Sequence, residues 1–169
     1  DLLDAGVLAA IRELRPSVVA YFVPPRRSDD PLPAVLNAAR NPGLEAFIYA
    51  SSSGVYGDRA GEWVDETTPI TDGETGDPLR HAAERLMIEA AQGGAPTRIC
   101  RITGIYGPGR TLRRPLESGD YTLIEGHDVW VGRIHVDDLV TGLLAAWTKG
   151  TDGTVYNMVD DRPHRASEF

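Results

Sequence analysis

The sequence predicts an α/β fold, a parallel sheet covered by helices on both faces, and three observations predict it. Short apolar, β-branched runs alternate with stretches of helical periodicity, and Pro, Gly or Ser breaks separate them. The run ending at Ala50 is short and apolar, which is how a strand buried on both faces reads. The segment lengths suit strands of a few residues and helices of about eight or more.

The elements follow in order. Val7, Leu8, Ile11 and Leu14 recur at helical spacing, and Pro16 then precedes the β-branched and aromatic run Ser17 to Val23, closed by Pro24-Pro25. Pro33 to Arg40 reads as a second helix, ended by Asn41-Pro42-Gly43, before a strand over Glu45 to Ser51. A third helix begins near Pro78, a favourable first-turn residue, and runs through Leu79, Ala82, Ala83, Leu86, Met87 and Ala90 until Gly93-Gly94 stops it. Thr97 to Thr103 gives the next strand. Asp137-Asp138 then lead a helix through Leu143 and Trp147, the acidic pair suiting the positive end of the helix dipole. Thr154 to Val159 is the last strand.

Length and composition bound the function. With 169 residues, 41% of them hydrophobic, the chain is long enough for one domain with a genuine core. Its net charge of -8 comes from 25 acidic and 17 basic residues with no basic run, so nucleic acid and anionic membrane surfaces are poor partners. The single cysteine, Cys100, makes no internal disulfide and reads as a small buried residue. No segment is apolar over a membrane-spanning length and the first residues lack a basic-then-apolar order, so a cytosolic location is the expectation. The four histidines, at 81, 127, 135 and 164, show no ligand spacing, and no metal is expected.

The run Ile48 to Asp58 carries the functional signal. An apolar strand breaks there into Ser51-Ser52-Ser53 and a Gly54-Val55-Tyr56-Gly57 turn, placing hydroxyls just beyond a strand's carboxyl end, where open α/β sheets bind ligands. It is not a nucleophile elbow, because its serines precede the glycine turn instead of sitting between two glycines.

Three blocks together resemble a known family: Ser51 to Asp58, Arg101-Ile102-Thr103-Gly104-Ile105-Tyr106-Gly107-Pro108-Gly109-Arg110, and Arg133-Ile134-His135-Val136-Asp137-Asp138. In this order the chain resembles the extended short-chain dehydrogenases/reductases of the NAD-dependent epimerase/dehydratase type over essentially its whole length. The resemblance implies a Rossmann-like sheet and an NAD or NADP cofactor. It also implies a small, sugar-nucleotide-like substrate and a homodimer formed through the helices at Pro33 to Arg40 and Pro78 to Gln92.

Two departures narrow that implication. Members of the family open with a strand, a glycine-rich turn and a helix that hold the dinucleotide pyrophosphate. The pairs Gly54/Gly57, Gly73/Gly76 and Gly104/Gly107 lack the third glycine, having Ala60, Leu79 and Arg110 there. Asp1-Leu2-Leu3-Asp4 instead resembles the segment after the third strand, whose aspartate approaches the adenine. The expectation is therefore a fold missing its first βαβ portion, with part of a substrate region at about 104–135 and 160–169, and weak or absent dinucleotide binding by residues 1–169 alone.

The second departure is in the catalytic pair. Relatives carry a tyrosine and, four residues later, a lysine on one helix face, the phenol exchanging a proton with substrate and the ammonium holding ribose. Here Lys149 is the one lysine, and no tyrosine has lysine at the fourth following position. Matching Ala82-Ala83-Glu84 to the family pattern puts Arg80 at the lysine position and Gly76 at the tyrosine position.

By resemblance, Ser52 is the catalytic serine, with Arg80 beside it as ribose holder, although an arginine on a solvated helix face reads equally well. Asp1, Phe22, Val23, Pro24, Ser51, Arg80 and Ile105 fall at cofactor-contacting positions. Tyr56, Gly104, Tyr106, Arg110 and Arg133 fall at substrate positions, with packing for Tyr56 and surface salt bridging for the two arginines as even alternatives. The loop Glu62 to Glu66 resembles the family's glutamate-bearing loop or is solvated acidic surface. Two functions stay open: an epimerase, dehydratase or reductase, and a catalytically silent dinucleotide-binding sensor or regulator.

Overall fold

The computed structural model describes residues 1–70, 76–111, 117–119 and 129–168. Its main sheet has four parallel strands in the order β1 (Val18–Tyr21), β2 (Ala46–Ser52), β3 (Thr97–Ile102) and β7 (Val155–Met158). Helix α1 (Ala5–Leu14) leads into β1, α2 (Leu32–Ala39) joins β1 to β2, and α3 (Pro78–Gln92) joins β2 to β3. Helix α4 (Val136–Lys149) leads into β7. A helix that feeds a parallel strand runs back against it, so the starts of all four helices lie at the carboxyl edge of the sheet.

Side chains on a strand alternate between faces, and each face has its own core. On one, Tyr21, Phe47, Tyr49 and Ile99 pack against Leu32, Val35, Leu36 and Ala39 of α2 and against Ala83 and Met87 of α3. On the other, Ala46, Ile48, Cys100, Ile102 and Met158 meet Leu139 and Ala146 of α4. Phe47, Tyr49, Ile99 and Met87 are wholly enclosed, and burying each such side chain contributes about 1.5–3 kcal/mol. The continuous apolar run Ala46 to Ala50 of β2 reflects this burial on both faces.

Helix starts are fixed by aspartates. Asp4 Oδ1 accepts from the amides of Gly6 (2.9 Å) and Val7 (3.1 Å), and Asp77 Oδ1 from those of Leu79 and Arg80 (both 3.1 Å). At α2, where Pro31 is the N-cap and supplies no side-chain bond, Asp30 accepts the amide of the first helical residue, Leu32, at 2.9 Å. The expected helices and strands all form, with ends shifted by a residue or two.

Four short strands escaped the sequence reading. β4 (Gly104–Tyr106) pairs in parallel with β6 (Arg133–His135), and β5 (Trp130–Val131) pairs antiparallel with β8 (His164–Arg165). Two or three residues give no periodicity to detect, and the paired segments are far apart in sequence.

Candidate functional site

The carboxyl edge of β2 delivers the serines to two different environments. Ser51 points to the α3 face and is buried, its hydroxyl donating to Glu84 Oε1 at 2.6 Å. Ser52 is the last strand residue and begins a 3-10 turn over Ser53–Tyr56, its Oγ accepting from the Gly54 amide at 3.2 Å. Among the described residues nothing takes the Ser52 hydroxyl proton. Gly57, at φ +68°, lets the chain leave the turn in a left-handed conformation that side chains disfavour.

Behind the turn lies a polar row, buried at Ser51 and Arg101 and half-buried at Asn157. Ser51 on β2, Arg101 on β3 and Asn157 on β7 are register partners across the sheet. Glu84 comes down from α3 onto this row and pairs with Arg101, Nη2 to Oε2 at 2.7 Å and Nε to each oxygen at 3.2 Å. The Arg101 guanidinium also lies 4.7 Å from the Tyr56 ring centre. Burial alone would lower its proton affinity, but the hydrogen bonds and charge of Glu84 hold it above the usual value.

Tyr56 is buried as well, its hydroxyl 2.9 Å from the Asp65 carbonyl oxygen and 2.8 Å from the Asn157 amide oxygen. Glu66 reaches the same strand, Oε1 accepting from the Asn157 amide at 2.7 Å. The acidic loop is thereby tied to β7, and Glu66 satisfies an edge-strand donor. Asp65 Oδ1 accepts from the hydroxyls and amides of Thr67 and Thr68, and these bonds hold its carboxyl below the usual range, the Thr67 hydroxyl contributing most.

Arg80 stands in the first turn of α3 with 22% of its side chain exposed, and its Nε is 3.0 Å from Asp77 Oδ2. Its terminal nitrogens have no protein partner among the described residues. Tyr49, enclosed below, feels that charge: burial pushes its phenol well above the usual range while Arg80 opposes the shift. Phe22, 56% exposed, and Val23 and Pro24 follow β1 at this edge, and Asp1 lies exposed ahead of α1.

The remaining expected residues sit on the smaller sheets. Gly104 and Arg133 are register partners, and a Cβ at Gly104 would meet Arg133 Cγ at an ordinary contact distance of 3.7 Å. Ile105 is partly buried against the α4 face. Tyr106 meets His135 edge to face at 5.2 Å, and Arg110 is exposed. His135 Nδ1 accepts from the Asp137 amide at 3.3 Å and so starts α4, which leaves the neutral ring's proton on Nε2. Gly73, Tyr121 and His127 lie outside the described residues.

Ser51 and Tyr56, which the resemblance puts at cofactor and substrate positions, both turn their hydroxyls inward to protein acceptors, because each shares the buried space around Arg101. The residues that sequence reasoning missed are Glu84, Arg101 and Asn157. A signal was present: a charged residue inside the apolar run Ile99-Cys100-Arg101-Ile102 must bring a buried partner.

The parallel sheet with helices on both faces defines a Rossmann-like α/β fold. Comparison with known proteins narrows this: the model of the NAD dependent epimerase/dehydratase family matches residues 33–158, and the chain belongs to that family. It is 28% identical over 137 residues to a dTDP-glucose 4,6-dehydratase of Streptomyces griseus, covering 73% of this chain and 40% of that protein. A functionally unknown conserved protein from Silicibacter pomeroyi DSS is 34% identical, with a TM-score of 0.74 over 89% of this chain and 53% of that one. A dTDP-glucose 4,6-dehydratase from Streptomyces venezuelae, solved with NAD, shares the fold at TM-score 0.80 and 21% identity, over 99% of this chain and 59% of that one. The chain thus spans less than half the length of the curated relative. No helix among the described residues is long and apolar enough to cross a membrane.

Proposed function

We propose that the whole protein is an NAD(P)-dependent enzyme of the epimerase, dehydratase or reductase type, acting on a carbonyl or hydroxyl of a small, sugar-nucleotide-like substrate. The observation that carries this reading is the Ser52 hydroxyl: it stands at the carboxyl edge of β2 with its proton uncommitted, on a turn anchored from beneath. Such a donor polarises a substrate oxygen.

The donor set also fits the nicotinamide end of a dinucleotide. The two terminal nitrogens of Arg80 form a rigid fork matched to paired oxygen acceptors such as a ribose diol, and Asp77 fixes its direction. When bound, the dinucleotide supplies hydride chemistry. Phe22, Val23 and Pro24 line its approach at the end of β1, with Asp1 toward the adenine and Ile105 behind. Gly104, Tyr106, Arg110 and Arg133 face the substrate, the arginines taking its anionic groups. Residues 104–135 and 160–169 contribute to that substrate region. Self-association uses α2 and α3, which enclose a groove of about 240 Å³ with Pro33, Leu36, Leu86 and Ala90 in its lining and Asn37, Arg40 and Glu89 beside them.

Gly76 favours a second reading, a dinucleotide-binding sensor or regulator without turnover. It stands where relatives carry the proton-exchanging phenol, and Arg80 does not release a proton near neutral pH. Proton exchange in the first reading therefore falls to water, to the substrate or to a residue outside these 169.

One experiment separates the two. NAD(H) and NADP(H) are titrated calorimetrically into the protein at its natural length, and nicotinamide absorbance is followed with sugar nucleotides and simple carbonyl compounds. Turnover that Ser52→Ala abolishes supports the enzyme. Binding without turnover, unchanged in Ser52→Ala, supports the regulator; absence of binding sinks both.

A further inference from the structure

The 3-10 turn that carries Ser52 is attached at both ends to one buried ion pair. Ser51, immediately before it, donates to Glu84 Oε1, and Tyr56, its last residue, lies against the Arg101 guanidinium. Glu84 and Arg101 bond each other through three contacts of 2.7 to 3.2 Å, with side-chain exposures of 1% and 4%. We propose that Glu84 and Arg101 are positioning residues, a clamp that fixes the Ser52 turn by gripping its start through Ser51 and its end through Tyr56.

Energetics argue that this pair serves more than the fold. Two charges taken from water lose hydration that their attraction only partly repays, and apolar residues of similar volume often support a fold equally well. The pair also leaves a buried donor, Arg101 Nη1, without a hydrogen-bond partner among the described residues, a further destabilising feature. Apolar residues would fill the space but would offer Ser51 no acceptor and Tyr56 no cation. What distinguishes the charged pair is direction: a two-oxygen acceptor and a planar fork set the angles of the groups they hold.

The clamp extends outward. Tyr56 passes the constraint to the Asp65 carbonyl, and Asn157, the register partner of Arg101, receives Glu66 on its amide. One buried pair therefore aligns the turn and the acidic loop that follows it.

This inference rests on the reading of Ser52 as the reacting-end donor, but its geometry is tested without any ligand. Backbone order parameters are measured by ¹⁵N relaxation in the full chain for Ser53, Gly54 and Gly57, with Ile99 as the core reference. The wild type is expected near the rigid value of about 0.85, and the charge-free pair Glu84→Leu/Arg101→Met below about 0.6 at the turn with Ile99 unchanged. Glu84→Gln, which keeps one acceptor oxygen but sets an NH2 group against the Arg101 donors, gives values between those of the wild type and the charge-free pair. Ser51→Ala, which removes one grip without disturbing the pair, gives a partial drop at Gly54 and serves if the double variant does not fold. A turn as rigid in Ser51→Ala and the double variant as in the wild type overturns the clamp. Loss of dinucleotide binding in the wild type would overturn the functional reading and leave the clamp standing.

Discussion

Ser51 and Arg101 face each other across β2 and β3 and hydrogen-bond the same carboxylate, that of Glu84. Removing the guanidinium leaves a buried charge with a single hydroxyl for company. Arg101→Leu is expected to lower stability by about 3–5 kcal/mol, against about 1 kcal/mol for Ser51→Ala. Urea unfolding checks the order, and equal losses would contradict the buried-pair account.

Tyr56→Phe keeps the ring beside Arg101 and removes only the hydroxyl that bonds Asp65 and Asn157. A loss of about 0.5–1.5 kcal/mol follows, with faster proteolysis in the acidic loop than in the helices. A variant as stable and as resistant as the wild type would show that the loop is held elsewhere.

Asp77 does two jobs with two oxygens: Oδ1 caps α3 and Oδ2 holds Arg80. Asn is as good a cap but carries no charge. Asp77→Asn should therefore leave the melting temperature nearly unchanged while weakening dinucleotide affinity, and Asp77→Ala should also lose about 1 kcal/mol of helix stability. Unchanged affinity in both variants would separate Asp77 from the site.

High pH should unfold the protein through its buried acids. Burial pushes the Cys100 thiol up to about 12 from 9.0, raises Tyr21 to about 12 from 10.0, and moves Tyr49 higher still. Each binds its proton more tightly folded than unfolded. Their stabilising contribution is complete below about pH 9 and is lost as pH rises toward 12. Unfolding midpoints measured from pH 8 to 11 should fall progressively, and Cys100→Ala should flatten the first part of that fall. A flat profile over this range would contradict the burial.

The sheet and its helices were legible because burial on both faces leaves a plain trace: Ile48 and Tyr49 go to opposite cores, so β2 reads as one apolar run. The site was legible only in part. Ser52 was marked by local sequence, a strand end and a glycine turn, whereas the inward direction of Ser51 depended on Glu84, 33 residues away. The link from Tyr56 to Asn157 spans 101 residues, a distance over which spacing carries no information. β4 and β6 escaped for the same reason. Arg101 was visible as a charge in an apolar strand, but its partner could be found only in three dimensions.

The central claim is the proposal that Arg80 holds the ribose at the reacting end of a nicotinamide dinucleotide, beside the substrate-polarising Ser52 at the carboxyl edge of β2. Calorimetric titration of NAD(H) and NADP(H) into the protein at its natural length, comparing wild type with Arg80→Ala, tests it most directly. The account predicts saturable binding to the wild type, weakened about tenfold or more when the guanidinium fork is removed, the loss of roughly one charge-assisted hydrogen bond of 1.5–3 kcal/mol. Equal affinity in the two proteins, or no binding to either, would contradict it.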